Sequence, residues 1–205
     1  MREIRAAEYF SIGFELAKKE YWTIFFNFLI YLIVGICASI TVVGLLVVPA
    51  IFASFIKFLL KVARGEAVGV GDSFSEGFKD GLWWKALFFT FLYSVGIVIG
   101  TIFFVVPGLY LATAWFLGIY LLVDKSMSPE EALGKSRELV HQLGFWKVFV
   151  VYMCLSIAMW IISVIPFLNL IYFFLMPFVM MIYVAIYENS IGNPLTTIHS
   201  QARFY

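Results

Sequence analysis

Every charged side chain in this chain falls in one of four clusters, and the three long stretches between the clusters carry none. The uncharged stretches are residues 21–56, 86–123 and 148–187, which is 36, 38 and 40 residues. A helix needs about 20 apolar residues to cross a bilayer. Each stretch therefore has the length of a hairpin of two crossing helices. The arms are expected at 22–42 and 45–62, 83–104 and 108–123, and 146–165 and 170–187. Each hairpin should turn at breakers: Gly44 and Pro49, Pro107 with Gly108, and Pro166 with Asn169. Pro177 falls inside the last arm and is expected to kink it. At 1.5 Å per residue, 36 residues give about 27 Å per arm, close to the roughly 30 Å hydrocarbon thickness. Full crossing is the expectation, with shallow wedge-like hairpins as the alternative.

Composition agrees. The chain is 63% apolar and 13% charged, against about 45–50% and about 25% in soluble domains, and its mean hydropathy is +0.97. A water-facing surface of this kind would aggregate, so an integral membrane protein is expected. The net charge of +1 points to no nucleic-acid partner. Residues 1–20 carry Arg2, Glu3, Arg5, Glu8, Glu15, Lys18, Lys19 and Glu20. That leaves no apolar core for a cleavable signal peptide. Cys37 and Cys154 lie in apolar segments and are expected to pack as small hydrophobes.

All 14 basic residues lie outside the three uncharged stretches. By the positive-inside rule, both termini and both long loops are expected to be cytoplasmic. Lys57 and Lys61, four residues apart on the second arm, are expected to snorkel to the interface as anchors.

Trp22, Trp84 and Trp146 are spaced by 62 and 62 residues, and each opens an uncharged stretch behind a charged amphipathic segment. We read a threefold internal repeat of surface helix, interfacial Trp and membrane hairpin. The repeats span about 2–64, 72–124 and 128–188, within one membrane domain of residues 1–190. Residues 191–205 form a short cytoplasmic tail. In the first leading segment Ile4, Ala7, Phe10, Phe14, Ala17 and Tyr21 form one stripe. In the second, Ser73 to Glu76 suggests a capping box, weakened by Gly77 and Gly81. In the third, Ser128 is the expected N-cap, Pro129 suits the first position, Glu130 and Glu131 fill the first turn, and Gly144 closes the helix. All three are expected to lie in the interface, with ordinary cytoplasmic helices packed on the loops as the alternative. Gly96 and Gly100 form a small-residue packing pair, read as an intrachain contact.

No catalytic constellation, cofactor motif or metal-ligand spacing is apparent. His141 and His199 are read as solvated. Neutral polar residues in the arms, such as Asn27, Thr90, Ser94 and Thr113, are expected to hydrogen-bond between helices.

The run 106–140, VPGLYLATAWFLGIYLLVDKSMSPEEALGKSRELV, is followed by Trp146-Lys147. Its Pro-Gly turn, aromatic-rich helix, terminal Asp124, Ser-Pro-x-x-Ala-Leu and Ser-Arg-Glu resemble a bacterial multi-pass family. That family includes the membrane domain of glycerophosphoryl diester phosphodiesterase and related stand-alone proteins of unknown function. The resemblance implies a six-helix domain in a bacterial inner membrane. It does not carry over the phosphodiesterase activity, which in the family belongs to a separate soluble barrel. The matching residues Pro107, Gly108, Asp124, Ser128, Pro129, Ser136 and Arg137 bring no chemical role, and an Asp124–Arg137 ion pair is a structural expectation.

The expectation is thus an all-α integral membrane protein of six transmembrane helices in three hairpins. Its expected function is a non-enzymatic, lipid-interacting or membrane-organising scaffold, acting on membrane lipids or on partner membrane proteins. The alternative is a transporter or channel for a small neutral or amphipathic solute.

Overall fold

The computed structural model describes residues 6–69, 71, 73–165 and 169–192. The expectations for Arg2, Ile4, Arg5, Asp72, Pro166, His199 and most of the tail lie outside the described residues.

Nine α-helices are described: α1 (Ala6–Lys19), α2 (Tyr21–Ser39), α3 (Val42–Ala63), α4 (Leu82–Phe103), α5 (Val105–Trp115), α6 (Gly118–Lys125), α7 (Pro129–Leu143), α8 (Phe145–Val164) and α9 (Asn169–Ser190). A 3-10 segment, Phe74–Gly81, precedes α4. Among the described residues six stretches are long and apolar enough to cross a membrane: α2, α3, α4, α5 with α6, α8 and α9.

The arms sort into two layers. Of the second arms, 56% of the α3 span, 56% of the α5–α6 span and 39% of the α9 span are buried, against 28% for α2 and 17% for the spans containing α4 and α8. The second arms are therefore the inner layer. Their fully buried Leu59, Leu117, Leu122, Ile186 and Tyr187 belong to one core. The first arms turn Ile33, Val98, Trp160 and other large apolar side chains outward, as a lipid-facing helix does.

The breaks between arms differ from the expected turns. Pro49 is not at a turn; it lies inside α3. That hairpin turns at Ile40–Thr41, where the Thr41 hydroxyl caps α3 by accepting from the Gly44 N–H at 2.9 Å. The run 42–48 is wholly apolar, and in lipid a helix satisfies its backbone where a loop cannot. Pro107 and Gly108 lie in the first turn of α5, and the break is at Phe104, which is extended. A first-turn Pro loses no hydrogen bond. The expected single arm 108–123 is divided at Phe116–Leu117 into α5 and α6. Pro177 lies within α9.

Each leading segment lies along the second arm of a different hairpin. α1 runs antiparallel to α9: the Asn189 amide donates to the Tyr9 hydroxyl at 2.9 Å, the Phe14 ring stacks on Phe178 at 4.8 Å, and the Tyr21 hydroxyl donates to the Phe174 carbonyl at 3.1 Å. The 3-10 segment lies on α3, where the Ser54 hydroxyl accepts from the Gly77 N–H and donates to the Phe74 carbonyl, both at 2.8 Å. α7 lies on α5 and α6, with the Ser136 hydroxyl donating to the Ala114 carbonyl at 2.8 Å. The first leading segment thus holds the third hairpin, the second the first, and the third the second.

The faces used differ from the expected stripes. α1 buries Tyr9, Gly13, Leu16 and Ala17, while Phe10 and Phe14 are 37% and 49% exposed. A Cβ at Gly13 would stand 2.6 Å from the Ile182 Cα, so the closest helix approach selects the glycine face over the larger aromatic stripe. The second leading segment is not an α-helix. Lys79 is extended, and Asp80 and Gly81 have positive φ of 52° and 69°. The Ser73 capping box is not formed, because Glu76 turns to lysines instead. The third segment has the complete box: Glu131 N–H to the Ser128 hydroxyl, and Ser128 N–H to the Glu131 carboxylate at 3.1 Å. Cys37 and Cys154 are free and exposed rather than packed inside.

Candidate functional site

The inner arms end together. Arg64 follows the last residue of α3, Asp124 is next to last in α6, and Glu188 is two residues from the end of α9. Their side chains form one ionic hub. Arg64 Nη1 donates to Asp124 Oδ1, and Arg64 Nε and Nη2 both donate to Glu188 Oε1, at 2.6, 2.9 and 2.8 Å. The Tyr187 hydroxyl donates to Asp124 Oδ2 at 2.8 Å, and Lys125 Nζ stands 3.3 Å from the same oxygen.

The Glu188 side chain is fully buried and that of Asp124 is 8% exposed, while Arg64 reaches solvent with 28% of its side chain. Isolated ions are costly in such a place, and pairing with satisfied hydrogen bonds offsets the cost. The hydrogen bond to Asp124, together with Glu188, raises the guanidinium above its already high ordinary value. Arg64 therefore stays charged. The two carboxylates are matched by Arg64 and Lys125. Beneath the hub Tyr120 stacks on Tyr187 at 5.4 Å.

The expected Asp124–Arg137 pair is not made. Asp124 takes Arg64, and the Arg137 guanidinium lies over the Tyr110 ring at 6.0 Å. His141 is exposed but not merely solvated: its Nε2 is 2.9 Å from the Tyr110 hydroxyl. Asn27 is fully buried; its amide donates to the Thr23 carbonyl and its oxygen accepts from the Gly71 N–H.

Lys57 and Lys61 do not reach outward alone. With Lys79 they converge on Glu76, at 2.8, 3.5 and 3.4 Å. Trp22, Trp84 and Trp146 are 62%, 61% and 73% exposed, each within the first three residues of an outer arm. Gly96 and Gly100 both face α5. A Cβ at Gly96 would strike the Trp115 ring, and one at Gly100 would stand 3.1 Å from Gly108 Cα. Gly108 in turn abuts Thr101.

An apolar groove of about 380 Å³ opens between α2, α3 and α9, lined by Phe28, Tyr31, Ile51, Phe52, Met176 and Met180 among others. Among the described residues no cluster of three His, Cys, Asp or Glu has the arrangement of a metal site.

Sequence reasoning missed the hub. Arg64 and Glu188 stand among the charges at the cluster borders and carry no motif. The available signal was their offset: Arg64, Asp124 and Glu188 follow Trp22, Trp84 and Trp146 by 42, 40 and 42 residues.

No family model, curated protein or solved structure matches this chain. Nothing in these comparisons links the chain to the membrane domain of glycerophosphoryl diester phosphodiesterase.

Proposed function

We propose that this chain is a non-enzymatic, multi-pass membrane protein that organises the lipid around it. In this reading one hairpin unit is used three times in a bacterial inner membrane, with both termini and the hub on the cytoplasmic side. The observation that carries it is the division of labour between layers. The inner arms close on one another through the hub and a packed core, while the outer arms and their three exposed tryptophans face outward. Exposed Trp at helix entrances suits the headgroup boundary.

Two features favour an organising role over chemistry or conduction. The ionisable groups that come together are saturated by one another, which leaves little for proton transfer. The inner arms meet at fully buried Leu59, Leu121 and Tyr187, which opposes a water-filled path. The apolar groove of α2, α3 and α9 favours contact with lipid chains. Leading segments whose apolar side chains Phe10, Phe14 and Phe78 remain exposed would add area to one leaflet and bias its curvature.

Reconstitution into vesicles of phosphatidylethanolamine and phosphatidylglycerol tests this. The expected result is vesicles narrower than protein-free controls, with glycerol and ion leakage at the control level. Solute flux above protein-free vesicles would replace the proposal with the transporter reading. Unchanged vesicle diameter at high protein density would remove it.

A further inference from the structure

On the other side of Phe52 from the apolar groove lies a second cavity, of about 430 Å³, between α3, α4, α5–α6 and α9. Both cavities use Phe52 as a wall. The second differs in chemistry. Five of its lining side chains carry hydroxyls: Thr90, Tyr93, Ser94, Tyr120 and Tyr183; none of its lining residues is charged. Its aromatic walls include Trp115 and Phe116. A largely apolar cavity with a few convergent polar groups, set between helices, is the usual form of a small-molecule site.

Two observations say from where it is reached and what it lacks. Thr90 and Ser94 lie four apart on α4 and are both exposed, as is Phe52. The cavity therefore opens sideways, past the outer arm α4, toward the lipid phase and not toward the hub. At its inner end Tyr120 is 5% exposed, and its hydroxyl has no hydrogen-bond partner among the described residues. Ser94 has none either. By contrast the Thr90 hydroxyl donates to the Ala86 carbonyl at 2.8 Å and that of Tyr93 to the Ala112 carbonyl at 3.5 Å. A hydroxyl without a partner on the wall of a largely apolar cavity is placed to bond a ligand's polar head, so Tyr120 marks the place for a ligand oxygen.

We propose that this cavity binds a membrane lipid with an uncharged, hydrogen-bonding head, of the diacylglycerol or prenol type. The head enters past Thr90 and Ser94 and meets Tyr120. The chain passes Phe52 into the apolar groove, whose roughly 380 Å³ holds about a dozen water-sized groups at roughly 30 Å³ each. A phosphate head is excluded because no cation faces the cavity: Arg64 is committed to Asp124 and Glu188. The proposal rests on the lipid-organising reading and adds a specific ligand class to it.

The test is photocrosslinking in phosphatidylcholine nanodiscs. The probes are a diazirine-bearing diacylglycerol and a diazirine-bearing phosphatidylglycerol, with labelled peptides read by mass spectrometry. The diacylglycerol probe is expected to label residues 89–94 and 115–120 saturably, and excess dioleoylglycerol but not phosphatidylglycerol to compete. Tyr120→Phe keeps the ring and removes the hydroxyl, and is expected to raise the competing concentration about fivefold. Ser94→Phe at the mouth is expected to abolish cavity labelling while labelling around Trp160 on the outer arm persists. Equal labelling by both probes, competition by neither lipid, or identical competition in Tyr120→Phe would each overturn the proposal. Vesicle diameter, measured on the same preparations, reports separately on the organising role.

Discussion

Arg64 and Glu188, 124 positions apart in the chain, are joined by two hydrogen bonds to a single carboxylate oxygen, Oε1, at 2.9 and 2.8 Å. With Asp124 on the other side of the guanidinium, one arginine ties together the ends of all three inner arms. Replacing both carboxylates and the arginine by apolar residues of similar volume is often tolerated at such sites, whereas removing one partner is not.

Arg64→Met leaves the buried Glu188 without its guanidinium. The expected loss is about 3 kcal/mol, at the low end for a broken buried pair because Arg64 is partly solvated. The triple variant Arg64→Met, Asp124→Leu, Glu188→Met is expected to recover most of that loss. Thermal unfolding in detergent, followed by helical circular dichroism, checks both. A triple variant less stable than the single would show that the ions hold the inner arms by more than mutual compensation.

The tight hairpin of α4 and α5 depends on glycines where the helices touch. Gly100→Leu must push a branched side chain against Gly108, whose Cα lies 3.1 Å from the position of a Cβ. Overpacking of this kind costs about 1–3 kcal/mol. Gly134→Leu, at a site with open space around its Cβ position, is the matched control and should leave the melting temperature within about a degree or two.

Ser54 fastens the 3-10 segment to α3. In Ser54→Ala the Gly77 N–H loses its acceptor inside the protein, at a cost of about 1–3 kcal/mol. Amide exchange over residues 74–81 should accelerate while α7 keeps its protection. Uniform acceleration throughout the chain would instead indicate global destabilisation.

The α7 cap responds to acid. The hydrogen bond from the Ser128 N–H, then that with its hydroxyl, holds the exposed Glu131 carboxyl below the ordinary glutamate value. A lowered folded value means the carboxylate's contribution is complete above the unfolded value and disappears as pH falls through the folded one. Amide protection in the first turn of α7, corrected for intrinsic rates, should therefore fall between pH 6 and pH 3. In Glu131→Gln that turn should show no such change.

Much of this architecture could be read from residues alone, for one reason. Lipid forces every backbone group into helix and every ion to an edge, so charge-free lengths mark the arms and Trp22, Trp84 and Trp146 mark their entrances. The same physics misled at Pro49, where an apolar run continues the helix through a residue that in water signals a turn. Faces were harder than lengths. The α1 stripe of Phe10 and Phe14 was visible, but in this protein large apolar side chains are left exposed as readily as they are packed. The true seam was therefore the less conspicuous Tyr9, Gly13 and Leu16. Arg64 and Glu188 were hidden because a border charge in sequence carries no sign of which distant border it meets. The Tyr120 cavity was hidden for a similar reason, since its hydroxyls come from separate arms and become a set only once those arms pack.

The most direct test of the account is which side of the membrane each turn occupies. Single cysteines at Thr41, Phe104 and Ile165, and at Glu66 and Ser126, would be introduced with Cys37 and Cys154 replaced by Ala. Sealed vesicles would then be treated with a membrane-impermeant maleimide. The first three should be labelled from one face only and the last two from the opposite face only. Labelling of Thr41, Phe104 or Ile165 from the same face as Ser126, or from neither, would contradict full crossing by all three hairpins.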